Sequence, residues 1–169
     1  LDINMWSNSD GKKILDLFKA IDKINLSKDA SDLLNILLLT NSYYPSKNIS
    51  KKEFLKIKSN WLKKNYNLRL IENYLLKNEI INENPELTRY LVDEYLSQSE
   101  VGKACEIFSK IKISIEDEYL SKFKIYCLIN NNMYEEAQLL LDLKKESGFS
   151  DSFFEEKISY LMGYNDKIN

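Results

Sequence analysis

The sequence predicts an all-α chain, a right-handed α-solenoid of antiparallel helix pairs with about nine helices and a 33-residue period. Three observations predict it. Helix breakers are scarce, four Gly and two Pro in 169 residues, while Leu, Ile and Lys dominate. Apolar residues recur at i, i+3 and i+4 through most of the chain. Apolar positions also recur at that one period: Ile71, Ala104 and Ala137; Phe54, Leu87, Leu120 and Phe153; Leu62, Tyr95, Leu128 and Leu161; Tyr74, Ile107 and Leu140; Leu75, Phe108 and Leu141. A fixed period of this length marks stacked helix pairs, none of which can bury its apolar face without neighbours.

Residues 1–49 read as an N-terminal helix pair with a long loop, an end unit or divergent repeat outside the register. Trp6 in the lead-in is expected to plug that pair. The first helix runs from about Gly11 to Ile24 with Ile14, Leu17, Phe18, Ile21 and Ile24 on its apolar face. Ser27 caps a second helix through Thr40, with Ala30, Leu33, Leu34, Leu37 and Leu38 as a wide buried face. Asn41 to Ile49 is the longest loop.

Residues 50–169 read as three helical-hairpin repeats plus one further helix. Ser50 and Glu53 form a capping box, in which each side chain satisfies a backbone N–H at a helix start. That helix reaches Lys64, and Asn67 opens its partner to Lys77. Asn84-Pro85 is an N-cap followed by proline at the first helical position, where a missing N–H costs nothing. Helices follow over Pro85–Leu96 and Glu100–Ile111, with Ile80 and Ile113 packing the loops. The third pair starts near Ser114 to Glu116, turns at Asn130 to Asn132, and returns from Met133 to Glu146. Asn132 with Glu135 suggests another capping box, Gly148 a helix stop, and Asp151 to Met162 the last helix.

Asn132-Met133-Tyr134-Glu135-Glu136-Ala137 resembles the turn and second-helix start of tetratricopeptide-like repeats, and Ala104 matches the same small position. The resemblance implies a helical scaffold whose first helices line a peptide-binding groove. Departures are a period of 33 rather than 34, Val92 and Ile125 where the family has a small residue, and no Pro closing each unit.

Composition excludes several chemistries. The chain has no His, which removes the commonest general base and metal ligand, and it has no Gly-rich phosphate loop. The carboxylates at Asp93-Glu94, Glu116-Asp117-Glu118, Glu135-Glu136 and Glu155-Glu156 are sequence neighbours. On a helix such neighbours point roughly 100° apart and do not converge on a substrate. No catalytic residue, cofactor or metal site is read from the sequence. Cys105 and Cys127 read as two small buried hydrophobes. A net charge of -2 with both signs interspersed argues against nucleic acid, and no apolar run approaches the roughly 20 residues of a membrane helix. The compartment is left open. The start at Leu1 is expected to follow a removed or longer upstream segment.

One constellation points to binding. Lys56, Arg89 and Lys122 are spaced by the same period on successive first helices, and Asn60, Asp93 and Tyr126 follow them, each one helical turn on. With Tyr119 they form a candidate peptide-binding ladder for an acidic peptide or C-terminal tail. The resemblance implies that Lys56 and Asn60 match a Lys-Asn pair that grips a terminal carboxylate. The expected function is a non-catalytic scaffold for a protein or peptide partner, within a longer protein. The alternative is an accessory helical domain of a larger multidomain enzyme. Homodimerisation through Phe153, Phe154, Ile158 and Leu161 of the C-terminal helix is a further expectation.

Overall fold

The structure is a computed structural model of the chain and describes residues 1–65, 67–111 and 114–164. Among these are nine α-helices and no strand: α1 (Gly11–Ile21), α2 (Lys28–Leu39), α3 (Lys51–Asn65), α4 (Leu68–Lys77), α5 (Pro85–Ser97), α6 (Val101–Ser109), α7 (Glu118–Asn130), α8 (Tyr134–Glu146) and α9 (Ser152–Leu161). The fold is all-α. None of the described helices is long and apolar enough to cross a membrane. The helices divide between two units, Leu1–Asn78 and Glu79–Asn169, so the sequence boundary at residue 49 lies inside the first unit.

In the first unit the long loop is tied to the start of α1. Asp10 caps α1 by accepting from the N–H groups of Lys12 and Lys13, and its other oxygen accepts from Asn48 Nδ2 at 2.8 Å. The Gly11 N–H donates to the Lys47 carbonyl at 2.9 Å. A Cβ on Gly11 would stand 2.2 Å from that of Ile49, so only glycine allows this approach. Trp6 meets Phe54 edge-on at 5.8 Å and packs on a core of Ile14, Phe18, Leu38, Phe54, Ile57 and Trp61. The Trp61 indole donates to Asn35 Oδ1 at 2.8 Å.

Two sequence expectations are corrected here. Helix α1 stops at Ile21 and leaves Leu17 and Ile24 exposed; α2 buries Leu38 but exposes Leu33, because its neighbours cover a narrower stripe than its apolar run offers. The expected caps at Ser27, Ser50 and Asn67 are present. Ser50 and Glu53 exchange both bonds of the capping box, at 2.8 and 3.2 Å.

In the second unit α5 packs on α6 and α7, α7 also packs on α6, α8 and α9, and the core runs through their facing sides. Two turns have the same construction. After α5, Ser99 (φ 59) sends its N–H to Leu96 O, and Glu100 sends its own to Tyr95 O; after α7, Asn132 (φ 59) and Met133 do the same toward Ile129 and Leu128. Both are Schellman stops, with Ser99 and Asn132 in the left-handed position that usually takes glycine. Gly148 ends α8 in the same way, as its sequence position predicts. The Asn132–Glu135 capping box is thereby corrected: Asn132 closes α7, and α8 begins at Tyr134 after Met133, which supplies no side-chain cap.

The N-caps Ser50, Asn84, Asp117 and Asp151 each accept from the N–H three residues on. From cap to cap the spacing is 34, 33 and 34 residues. Helix α9 is capped by Asp151; its inward face carries Phe154 and Ile158, and Phe153 and Leu161 are exposed. Phe153 and Leu161 are thus the open part of the apolar face expected of this last helix, and Ile158 its buried part. Ile80 and Ile115 are buried loop residues; Ile113 lies outside the described residues.

Ala104 and Ala137 are fully buried. Close helix approach needs a small side chain there, so Ala104→Leu and Ala137→Leu are each expected to lower stability by roughly 1–3 kcal/mol through overpacking. Thermal melts check this, and unchanged midpoints for both would refute the close approach. Cys105 on α6 and Cys127 on α7 are buried and joined as a disulfide, which corrects their reading as separate hydrophobes.

Candidate functional site

Two of the three basic residues of the expected ladder, Arg89 and Lys122, are engaged by helix caps. Arg89 on α5 grips Asp117, the N-cap of α7, with two parallel bonds: Nε to Oδ1 at 3.1 Å and Nη2 to Oδ2 at 2.5 Å. Partial burial works to raise the Asp117 carboxyl, but the Arg89 bonds and the Leu120 N–H outweigh it and hold the carboxyl below its ordinary range. The same contact raises the guanidinium of Arg89 further. Its plane also lies over the Tyr119 ring at 5.7 Å, and the Tyr119 hydroxyl donates to Asp93 Oδ1. Burial, then that hydrogen bond, pushes the Tyr119 phenol up to about 12.

A similar arrangement occurs 33 residues further along the chain, at Lys122. Lys122 on α7 donates to Asp151, the N-cap of α9, at 2.6 Å and pairs with Glu118 at 2.7 Å. Its ammonium stands over Phe149 at 5.2 Å and Phe154 at 5.7 Å. The Asp151 and Glu118 bonds raise Lys122, and the Lys122 bond with the Phe154 N–H lowers Asp151. Each cation therefore links one odd-numbered helix to the cap of the next, and its charge is already met by a carboxylate.

The structure thus brings Arg89, Asp93 and Tyr119 together around Asp117. Tyr126 sits one turn beyond Lys122, half-buried and stacked on Phe123 at 5.8 Å, while Phe123 meets Phe108 edge-on at 5.6 Å. Lys56 and Asn60 are exposed on α3, in the first unit.

Sequence reasoning missed a cleft of about 240 Å³ in the second unit, between the N-terminal half of α7 and the turn after α8. Ile125 and Phe149 supply its apolar surface, Glu116 and Glu118 its carboxylates, and Lys122 and Lys144 its ammonium groups; Ser121, Ser147 and Gly148 complete it. The Ile115 carbonyl organises one wall, accepting from Ser121 Oγ at 2.9 Å and Lys144 Nζ at 2.5 Å. Lys124, half-buried nearby, is lowered by burial and by the charge of Lys144. The only sequence signal was Gly148, which bends the chain after α8 and brings Phe149 back toward α7. Comparison with models of known families, with curated proteins and with solved structures finds no match for the chain.

Proposed function

We propose that this chain is a non-catalytic helical-repeat scaffold of the tetratricopeptide-like class that holds a protein or peptide partner. The observation that supports this reading is the recurrence of one linkage. Arg89 to the cap Asp117, and Lys122 to the cap Asp151, join alternate helices by the same chemistry, and the Schellman turns at Ser99 and Asn132 share one backbone conformation. Chains built from repeated helix pairs present extended surfaces suited to macromolecular partners. On this reading Arg89 and Lys122 align the helices, and the ligand contacts lie beside them on α7 and in the cleft. Asp93, Tyr119 and Tyr126 lie beside the same cations.

The test is affinity capture with the intact chain, immobilised and exposed to an extract of its own source, followed by mass spectrometry and measurement of each candidate as purified protein. A purified partner that binds at micromolar concentration or tighter supports the scaffold. Absence of any direct binder, together with a catalytic motif elsewhere in the native polypeptide, would replace it with the accessory-domain reading.

A further inference from the structure

We propose that the cleft between α7 and the turn after α8 seats one acidic residue of a partner peptide, its carboxylate on Lys144 and its apolar neighbour against Ile125 and Phe149. This rests on the scaffold reading above and names the chemistry of its partner. Size comes first. At about 240 Å³ the cleft is smaller than the roughly 300–1,000 Å³ of drug-sized sites, and it suits an anchor of one or two side chains.

Donor capacity comes next. The hydroxyl protons of Ser121 and Ser147 are committed to the carbonyls of Ile115 and Lys144, at 2.9 and 2.7 Å. Lys122 is held by Glu118 and Asp151. Lys144 makes one bond, to the Ile115 carbonyl, and an ammonium has three N–H groups to give. Two N–H groups of Lys144 are therefore open, against one on Lys122, whose charge Glu118 and Asp151 already meet.

Charge points the same way. Lys144 and Lys124 are both half-buried and close enough to repel, and among the described residues neither is paired with a carboxylate. Two such cations are relieved by an anion brought between or beside them. Glu116 and Glu118 stand on the rim and limit that anion to a single charge. A phosphate group at about −1.5 to −2 would meet repulsion there that a carboxylate largely avoids. The Phe149 ring and Ile125 then select an apolar residue beside the acid.

The experiment titrates the isotopically labelled full chain, followed by NMR, with three blocked peptides. The first is Gly-Ser-Leu-Glu-Leu-Ser-Gly; the second carries Gln, and the third phosphoserine, in place of Glu. The Glu peptide is expected to shift the amides of Ser121, Ile125, Ser147, Gly148 and Phe149 and to bind roughly tenfold tighter than the Gln peptide. Lys144→Gln is expected to remove that preference. Lys124→Gln, which leaves the Ile115 bond in place, is expected to weaken binding several-fold and guards against a purely structural effect. Lys145→Gln is the control, since Lys145 pairs with Glu155 outside the cleft. Equal binding of the Glu and Gln peptides, shifts confined elsewhere, or tighter binding of the phosphoserine peptide would each overturn the proposal. If a captured partner binds Lys144→Gln and Lys124→Gln chains as tightly as the parent, the cleft assignment fails while the scaffold reading stands.

Discussion

Reduction of the Cys105–Cys127 bridge is expected to destabilise the C-terminal unit by about 3 kcal/mol, the chain-entropy value for a closed loop of this size. The bridge spans 22 residues, and it staples α6 to α7, so it restrains the two helices on which the rest of the unit packs. In the unfolded chain it removes conformations that the reduced chain regains. For a unit of this length the loss corresponds to a drop on the order of 10–20 °C in melting midpoint. The measurement compares melts of the oxidised chain, the chain under dithiothreitol, and the Cys105→Ala/Cys127→Ala chain. The last two are expected to coincide well below the first. If dithiothreitol leaves the midpoint unchanged and labelling finds two free thiols without it, the sulfurs are not joined.

Replacing Lys58 by Met is expected to stabilise the N-terminal unit by roughly 2–3 kcal/mol at pH 7. Lys58 on α3 is only 5% exposed, with its ammonium 5.0 Å from the centre of the Phe54 ring and 5.9 Å from that of Tyr74. Burial pushes its pKa from 10.5 down to about 8. That gap corresponds to roughly 3 kcal/mol at about 1.36 kcal/mol per pH unit, and methionine keeps a long side chain against the same rings without the charge.

The pH dependence separates this cause from simple repacking. Below about 8 both the folded and unfolded chains hold the proton, and the penalty is complete. Between about 8 and 10.5 the unfolded chain binds more protons than the folded one, so stability rises with pH through this window. The advantage of Lys58→Met should therefore shrink across the same interval, as read by denaturant unfolding at pH 7, 9 and 10.5. An advantage that stays constant across it would show that charge burial is not the cause.

Much of the local structure was legible because its causes are local. Ser27, Ser50, Asn67 and Asn84 announce helix starts through bonds that reach only three residues. Asn132 shows the limit of such reading: it suits either an N-cap or a left-handed helix stop, and only the bonds from Asn132 and Met133 back to Ile129 and Leu128 decide for the stop. Ser99 carried no signal, because serine rarely takes the left-handed position. The candidate ladder was half visible. Spacing picked out Arg89 and Lys122, but their partners Asp117 and Asp151 lie 28 and 29 residues on and share no helix with them.

The sequence by itself determined that the chain is helical, where nearly every helix begins, and which small residues, Ala104 and Ala137, are buried. These follow from propensity, capping and periodicity, which act over one or two turns. Only the tertiary structure decided that Cys105 meets Cys127, that Lys58 is buried between two rings, that Arg89 and Lys122 are occupied by caps, and that Lys144 faces a cleft. Each of these depends on which side chains different helices bring within a few ångströms. That is set by how the helices pack, and no spacing along a single helix encodes it.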